Sequence, residues 1–302
     1  MRAHLCPVHL LVLTLALVAW FWSTPGKAET AAVADLSRTV AELEHRIDAR
    51  IGVVVHDSAT GWYWGHRQDE RFLMASTFKQ VLCGAVLDRV AQTGGTLEVT
   101  LPVTAADILS FAPLTKEQVG KAVSLSTLCH ATLDKSDNTA ANLLLNWLGG
   151  PPAVTAFLRA MGDETTRLDR VEPDLNTFAP GDPRDTTTPA AMVAVWRAML
   201  LGPALITAHR TRLKHWMENG SVMQNLIRAS TPSGWGIADK SGGGRHHTRN
   251  LVAMITPPGK APYFAAIYVS DTPATWATRN AAVARIGAAI MDVIKQRVSA
   301  QP

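Results

Sequence analysis

Four fragments of this chain carry residue types that together could perform acyl transfer at a serine. A serine hydroxyl is a poor nucleophile at neutral pH, so the chemistry needs a base beside it, donors for the oxyanion and a proton for the leaving group. The fragments could supply each of these. In chain order they are Ser76-Thr77-Phe78-Lys79, Ser136-Asp137-Asn138, Glu172 with Asn176, and Lys240-Ser241-Gly242.

The first fragment places Ser76 and Lys79 three positions apart, a spacing that brings two side chains onto one face of a helix. If Ser76 begins a helix, the amine of Lys79 can act on its hydroxyl, and the unpaired N–H groups of the helix start favour an oxyanion. Alone, the pattern Ser-x-x-Lys is weak, because a helix cap followed by a solvated lysine is the more common outcome.

The second fragment lies in a polar break between helical segments. Because they are two residues apart, the hydroxyl of Ser136 and the amide of Asn138 can point into one cleft, the first to pass a proton and the second to hold a substrate amide. A turn or a helix cap is the alternative, and for these residues taken alone it is the stronger one.

The fourth fragment ends a predicted strand, and Lys240 and Ser241 are followed there by a run of glycines. Missing side chains would let a substrate lie against the backbone as an extra strand, with Lys240 and Ser241 binding an anionic group. The alternative is an ordinary strand that ends in a glycine-rich turn. His246 and His247 follow without a third ligand at suitable spacing, so we expect no metal and no cofactor.

The elements around these fragments predict a sheet that is built from both ends of the chain. Consecutive strands joined by short turns indicate an antiparallel sheet, and the helical middle of the chain would then be an inserted domain. The middle segment shows no strong strand signal. The predicted elements are a helix from Leu36 to Ile47, strands at 51–55 and 62–64, a helical segment from 72 to 218, strands at 235–241, 250–256 and 263–270, and a helix at 274–298.

The predicted fold class is therefore α/β plus all-α, an antiparallel sheet flanked by N- and C-terminal helices with an inserted helical domain. Residues 29–66 and 219–302 form the discontinuous α/β domain, and residues 67–218 form the helical one. Within it, the prolines of residues 170–185 predict a surface loop, a kind of segment that often carries function. Arg170 and Asp185 at its ends could clamp it, although unrelated solvated charges are the more common case.

The composition and the first residues indicate an exported globular protein. A length of 302 residues and an apolar fraction of 47% are sufficient for a full core, and the net charge of +4, to which Arg2 and Lys27 contribute two, is too small to suggest a nucleic-acid partner. Residues 1–28 have the layout of a secretory signal peptide, and their apolar run is short for an uncleaved anchor. We expect export to the periplasm without stable membrane association.

Two cysteines, Cys83 and Cys129, remain after the leader, which contains Cys6. An even pair in an oxidising compartment predicts a disulfide that would tie the first two fragments together. Two buried reduced thiols are the alternative.

The motifs together resemble the signature of class A serine β-lactamases, which share a superfamily with penicillin-binding proteins. The similarity extends over essentially the whole mature chain in order and separation. The further matching segments are Phe78-Lys79, Arg170-Val171-Glu172-Pro173, Asp185-Thr186-Thr187-Thr188-Pro189 and Trp235-Gly236-Ile237-Ala238-Asp239-Lys240-Ser241-Gly242.

The resemblance implies roles for the groups that open the lactam. Ser76 would attack the carbonyl, while its own N–H and that of Gly243 form the oxyanion hole. Either Lys79, or Glu172 acting through a water, would take the proton. Ser136 would relay a proton to the lactam nitrogen.

The resemblance also implies the groups that bind the substrate. Asn138 would hold the side-chain amide, and Lys240, Ser241 and Arg249 would bind the carboxylate. Phe111 matches an aromatic position at the mouth of the cleft.

Glu172 and Asn176 would hold the water that hydrolyses the acyl-enzyme, and relatives have a cis bond between Glu172 and Pro173. The simpler alternative for Glu172 is a loop carboxylate paired with Arg170. Carbapenem-hydrolysing members often have a second disulfide, whose cysteines would fall at Ala75 and Gly244. Neither residue is a cysteine, so the bridge is absent and carbapenem hydrolysis is less expected than it would be with the bridge.

The resemblance thus implies a monomeric hydrolase of β-lactam antibiotics. One alternative is a penicillin-binding enzyme that acts on cell-wall peptides, and Glu172 and Asn176 argue against it because they equip the chain to release the acyl group. The other is a non-catalytic exported binding protein, and the intact first, second and fourth fragments argue against that.

Overall fold

A computed structural model describes residues 27–177, 179–244 and 247–300. The predicted signal peptide lies outside these residues except for its last two positions, and Cys6 lies outside them as well. The described chain forms eight α-helices: α1 (Lys27–Ile47), α2 (Lys79–Gln92), α3 (Leu125–Asp134), α4 (Asn138–Leu148), α5 (Pro151–Ala160), α6 (Pro189–Leu200), α7 (Thr207–Glu218) and α8 (Trp276–Ala300).

The strands of the described residues form one large sheet and two small ones. The large sheet is antiparallel and has the order β2-β1-β9-β8-β7, so the two ends of the chain meet at the β1–β9 pair, where Val53 faces Ile267. The strands are β1 (Arg50–Asp57), β2 (Tyr63–His66), β3 (Phe72–Leu73), β4 (Thr100–Pro102), β5 (Ala122–Ser124), β6 (Thr186–Thr187), β7 (Gly236–Gly243), β8 (His247–Thr256) and β9 (Tyr263–Thr272).

The large sheet is buried on both faces, and alternate residues of β1 show how the core divides. Val53 and Val55 pack in one cluster with α1 and α8, whereas Val54 belongs to a second cluster with the helical region. Successive side chains of a strand point to opposite faces, which is why a continuous apolar run suits this position. Each fully buried apolar side chain stabilises the fold by about 1.5–3 kcal/mol.

The predicted architecture is confirmed: an antiparallel sheet carries the terminal helices on one face and the helical region on the other. The domain boundaries at residues 66/67 and 218/219 stay a prediction. The expectation of no strands between 72 and 218 is wrong, because the pairs β3–β6 and β4–β5 lie there. Two or three residues are too few to show a strand period.

The β3–β6 pair is small but it joins two important segments. β3 ends two residues before Ala75, and β6 follows residues 170–185 directly. Phe72 pairs with Thr187 and Leu73 with Thr186, so the start of the first fragment and the end of the loop are held side by side.

Among the described helices, none is long and apolar enough to cross a membrane.

Candidate active site

Ser76 lies in a short 3-10 turn, Ala75–Phe78, and Lys79 is the first residue of α2. The sequence predicted an α-helical start at Ser76, but the tighter turn serves the same purpose, because residues three apart eclipse in a 3-10 helix. Ala75 has a φ of 44°, a left-handed conformation that costs energy for a residue other than glycine. Such strain is common where a reactive side chain must be held outward.

Strand β7 packs directly against this turn, and only a glycine permits the approach. A Cβ atom on Gly242 would lie 2.8 Å from the carbonyl oxygen of Met74 and 3.0 Å from the nitrogen of Ser76. Replacing Gly242 by any other residue would therefore push the strand and the turn apart.

Lys79 is fully buried and is held by several oxygen atoms. Its Nζ donates to Oδ1 of Asn138 at 2.6 Å and to the carbonyl oxygen of Ser136 at 2.7 Å, and it lies 3.3 Å from Oε1 of Glu172. Burial lowers the pKa of Lys79, and the negative charge of Glu172 partly opposes that shift. A lowered pKa suits an amine that has to accept and return a proton.

Ser136 lies between α3 and α4 in a left-handed conformation with a φ of 58°. Its Oγ accepts from Nζ of Lys79 at 3.3 Å and from Nζ of Lys240 at 3.1 Å. One hydroxyl thus bridges two lysines, an arrangement that can carry a proton between them and a third group.

The middle residue of the second fragment, Asp137, acts structurally. Its buried carboxylate caps α4 by accepting from the nitrogen of Ala140 at 3.0 Å, and it accepts from the nitrogens of Leu114 and Thr115 at 2.9 Å. Both alternatives for this fragment are therefore present: Asp137 caps a helix, and Ser136 and Asn138 line the cleft.

Lys240 enters the site from β7 and is also fully buried. Besides Ser136, its Nζ donates to the carbonyl oxygen of Ser241 at 2.9 Å. Burial, followed by the positive charges of Lys79 and Arg249, holds the pKa of Lys240 well below its usual range.

The loop of residues 170–185 closes the opposite side of the site. Arg170 and Asp185 form an ion pair at 2.5 Å, the less common of the two outcomes that the sequence left open. The buried Asp185 carboxylate also accepts from the nitrogens of Asp169 and Arg170 at 2.7 and 2.9 Å. The bond between Glu172 and Pro173 is cis, as expected from the resemblance.

Glu172 is held in place by two asparagines. Its nitrogen donates to Oδ1 of Asn142 at 3.0 Å, Nδ2 of Asn142 donates to its carbonyl oxygen at 2.8 Å, and Nδ2 of Asn176 donates to its Oε2 at 2.5 Å. Oδ1 of Asn176 is buried and accepts no hydrogen bond from the described residues, and Oε1 of Glu172 faces only the ion-pair contact with Lys79. Buried acceptors of this kind usually serve a water or a ligand.

Sequence reasoning missed Asn142, although a signal for it exists. Asn142 follows Asn138 by one helical turn on α4, so the two amides lie on the same side of the helix. Asn138 faces Lys79, and Asn142 fixes the backbone of the residue that pairs with Lys79.

Arg249 reaches the site from β8. Its guanidinium donates to the carbonyl oxygen of Gly242 at 3.0 Å and to Oδ1 of Asn280 at 2.6 Å, and burial together with the neighbouring Arg279 lowers its pKa to about 10. Asn280, Arg279 and Trp276 on α8 were also missed, because no spacing along the chain links them to the motifs.

These groups surround one open cleft of about 1190 Å³. Lys79, Glu172 and Lys240 lie buried behind its wall, and the other predicted site residues line it. Phe111 stands at the mouth with 49% of its surface exposed. The remaining lining residues from the predicted set are Ser76, Ser136, Asn138, Asn176, Ser241, Gly243 and Arg249.

The predicted disulfide is not formed in this structure. Cys83 and Cys129 are free and fully buried, and Sγ of Cys83 lies 3.8 Å from the carbonyl oxygen of Cys129. Burial raises the pKa of the Cys83 thiol well above its usual range. The two residues are neighbours, as the sequence predicted, but without the bond.

Of the two histidines after the fourth fragment, the structure describes His247. His247 lines the cleft and its Nδ1 lies 3.1 Å from the carbonyl oxygen of Thr272, while His246 lies outside the described residues. The described ranges contain no cluster of three side chains suited to a metal ion.

The chain is similar to known β-lactamases over most of its length. It matches a sequence model of the Beta-lactamase enzyme family at residues 35–294. It is 48% identical to a beta-lactamase of Rhodobacter capsulatus, over 91% of this chain and 93% of that protein.

Solved structures agree with the sequence relatives. A beta-lactamase of Xanthomonas campestris has a TM-score of 0.85 and 44% identity, over 87% of this chain and 98% of that one. An ancestral class A beta-lactamase has a TM-score of 0.83 and 47% identity, over 85% of this chain and 99% of that one. The chain belongs to the Beta-lactamase enzyme family, as a member of class A.

Proposed function

We propose that this β-lactamase opens the lactam with Ser76 and releases the product with Glu172, which would give resistance to β-lactam antibiotics. The observation that carries the proposal is the convergence on one cleft of a hydroxyl, two buried lysines and a buried carboxylate. Nζ of Lys79 lies 3.3 Å from both Glu172 and the hydroxyl of Ser136, and Lys240 lies 3.1 Å from that same hydroxyl.

In the first step, Oγ of Ser76 forms a bond to the lactam carbonyl carbon and its proton passes to the base. The N–H groups of Ser76 and Gly243 stabilise the oxyanion. When the C–N bond breaks, Ser136 delivers a proton to the lactam nitrogen and regains one from Lys79. Either Lys79 directly, or Glu172 through a water, takes the first proton. In the second case Glu172 passes it on to Lys79, 3.3 Å away, and is again a carboxylate for the next step.

In the second step, Glu172 removes a proton from a water that attacks the acyl carbonyl. Oδ1 of Asn176, which accepts no hydrogen bond from the described residues, and the carboxylate of Glu172 are a suitable pair to orient that water. The bond between the acyl carbon and Oγ of Ser76 then breaks, and Oγ regains a proton from Glu172, which restores both groups. This step separates a hydrolase from a penicillin-binding protein, which keeps the acyl group.

The substrate is held by charges on the α/β side of the cleft. Lys240, Ser241 and Arg249 bind its carboxylate. Burial lowers the pKa of both cations, helped at Lys240 by the charges of Lys79 and Arg249 and at Arg249 by the charge of Arg279. Asn138 binds the side-chain amide, and Phe111 covers the mouth. A bidentate guanidinium–carboxylate contact fixes orientation as well as affinity.

The enzyme would act as a monomer in the periplasm after removal of residues 1–28. All of the proposed site groups come from one chain, so no second copy is needed to complete the cleft. The oxidising compartment would also allow Cys83 and Cys129 to form the predicted disulfide.

The proposal is tested by mixing purified mature protein with a chromogenic cephalosporin and following both turnover and intact mass. Repeated turnover with a transient acyl adduct is the expected result. A stable one-to-one adduct would instead identify a penicillin-binding protein, and the absence of any adduct would leave only a binding protein.

A further inference from the structure

The wall of the cleft next to the carboxylate-binding groups is formed by an exposed aromatic side chain. Trp276 is the first residue of α8, lines the cleft and has 46% of its surface exposed. A tryptophan this exposed in a binding cleft is available to a ligand. Its ring offers a large apolar contact surface at low entropic cost.

Trp276 is fixed against the substrate-binding residues. The guanidinium carbon of Arg249 lies 4.5 Å from the indole centroid, and that of Arg279 lies 5.5 Å from it. Cation–π contacts of this length restrain a ring without covering all of it. The indole is therefore held beside the group that binds the carboxylate.

Gly243 brings the indole close to the end of β7. A Cβ atom at this position would lie 2.8 Å from the six-membered ring of Trp276. The tryptophan thus occupies the space that a side chain at residue 243 would take, directly beside the strand along which the substrate would lie.

The chemistry of a cephalosporin determines which of its groups reaches this wall. The ring carbon that carries the carboxylate has two ring neighbours, the lactam nitrogen and carbon C3. The nitrogen must approach Ser136 on the helical side, because Ser136 supplies its proton. C3 and its substituent are then directed to the other side, where Trp276 lies next to Arg249.

We propose that Trp276 is a specificity-determining residue that binds the C3 substituent of cephalosporins and favours planar, aromatic groups there. This inference rests on the proposed function, because it uses the carboxylate site to orient the substrate. Penicillins have two methyl groups in place of such a substituent and gain less from the indole.

The test compares two cephalosporins with the same amide side chain, one carrying a dinitrostyryl group at C3 and the other a methyl group. For Trp276→Ala, kcat/KM should fall about three- to tenfold with the styryl substrate and less than about twofold with the methyl one. Trp276→Phe should recover most of the loss, and the exposed aromatic Tyr63, changed to alanine, is the matched control away from the cleft.

Equal losses with both substrates would overturn the proposal, because they would mean that Trp276 acts only by holding Arg249. No loss with either substrate would overturn it as well. If Trp276→Ala fails to fold, Trp276→Leu gives the same comparison without an aromatic ring. If the wild-type enzyme turns over neither substrate, the proposed function itself fails, a result that is distinct from a change in selectivity.

Discussion

The two sides of the cleft hold their functional groups by different means. Ser76, Lys79, Ser136 and Lys240 are carried by a short turn, the ends of helices and a strand, all of which pack on the hydrophobic core. Glu172, in contrast, lies on a loop whose described residues contain one 3-10 turn, Asp174–Asn176. Leu175 anchors that turn in the core, and the ends of the loop and the backbone of Glu172 are held by polar contacts.

This difference separates the two halves of the reaction. A side chain on a packed element can be displaced only by disturbing the core, which costs several kcal/mol. A side chain on a polar-tethered loop can be displaced by breaking one ion pair or a few hydrogen bonds. Opening of the lactam should therefore be less sensitive to mutations around the site than release of the product.

The largest effect is expected from removing the nucleophile on the rigid side. Ser76→Ala should form no covalent adduct and should lower kcat by about 10⁴-fold or more, because no other described group can replace the attacking oxygen. Intact mass and steady-state turnover measure this. Ser299→Ala, an exposed serine near the end of α8, is the control; an adduct on Ser76→Ala would place the nucleophile elsewhere.

The next effect is expected from loosening the loop. Asp185→Asn removes the charge that pairs with Arg170, and breaking a buried pair costs about 3–5 kcal/mol of stability. Since a shift of 1 Å in a catalytic group can cost about 100-fold, release of the acyl group should slow by up to that factor while acylation changes little. Pre-steady-state kinetics separate the two steps.

Asp182→Asn is the matched control for this experiment, because it removes a second aspartate–arginine pair of the same loop, whose arginine, Arg184, is 54% exposed. It should leave both steps nearly unchanged. If Asp185→Asn slowed acylation as much as release, the loop would not be the separately fragile side.

The sequence predicted the rigid side better than the loop, for a physical reason. The local pattern of the sequence predicted a helical turn from Ser76 to Lys79 and a strand at Lys240. The structure has a 3-10 turn that leads into a helix at the first site and a strand at the second. For the loop ends, the charges of Arg170 and Asp185 allowed a pair but did not favour it over two solvated side chains. The two-residue strands β3 and β6 could not be predicted, because each is defined only by its pairing with the other, which is more than 100 residues away along the chain.

Contacts between segments that are far apart along the chain could not be predicted from sequence patterns. Asn142 and Glu172 are 30 positions apart, and Trp276 meets Gly243 only because α8 returns the chain to the end of β7. Cys83 and Cys129 are free in this structure, whereas the sequence predicted a bridge between them.

The pH dependence of kcat/KM tests the role of Lys240 on the rigid side of the cleft. The lowered pKa of Lys240 means that its ammonium form, which binds the substrate carboxylate, is lost as the pH rises through that pKa, below the usual range for lysine. Above it, kcat/KM should fall by roughly tenfold per pH unit. In Lys240→Arg the guanidinium stays charged, so the alkaline fall should move to higher pH.

Lys295→Arg, a partly exposed lysine of α8, controls for the chemistry of the replacement. An unchanged alkaline fall in Lys240→Arg would mean that a different group, with Lys79 as the first candidate, sets the limit.

The smallest effect on catalysis is expected from the cysteines. In exported protein kept oxidised, a bridge between Cys83 and Cys129 would close a loop across 46 positions and stabilise the fold by up to about 4 kcal/mol, with kcat nearly unchanged. Thiol titration under denaturing conditions should find no free thiol before reduction and two after it. Two free thiols before reduction would refute the bridge.

The central claim is that Glu172 serves the release of the acyl group, and the intact mass of Glu172→Ala after mixing with a penicillin tests it most directly. The account predicts a covalent adduct of the opened penicillin that forms and then persists, while the wild-type enzyme returns quickly to its free mass. Unimpaired steady-state hydrolysis by Glu172→Ala would contradict the account.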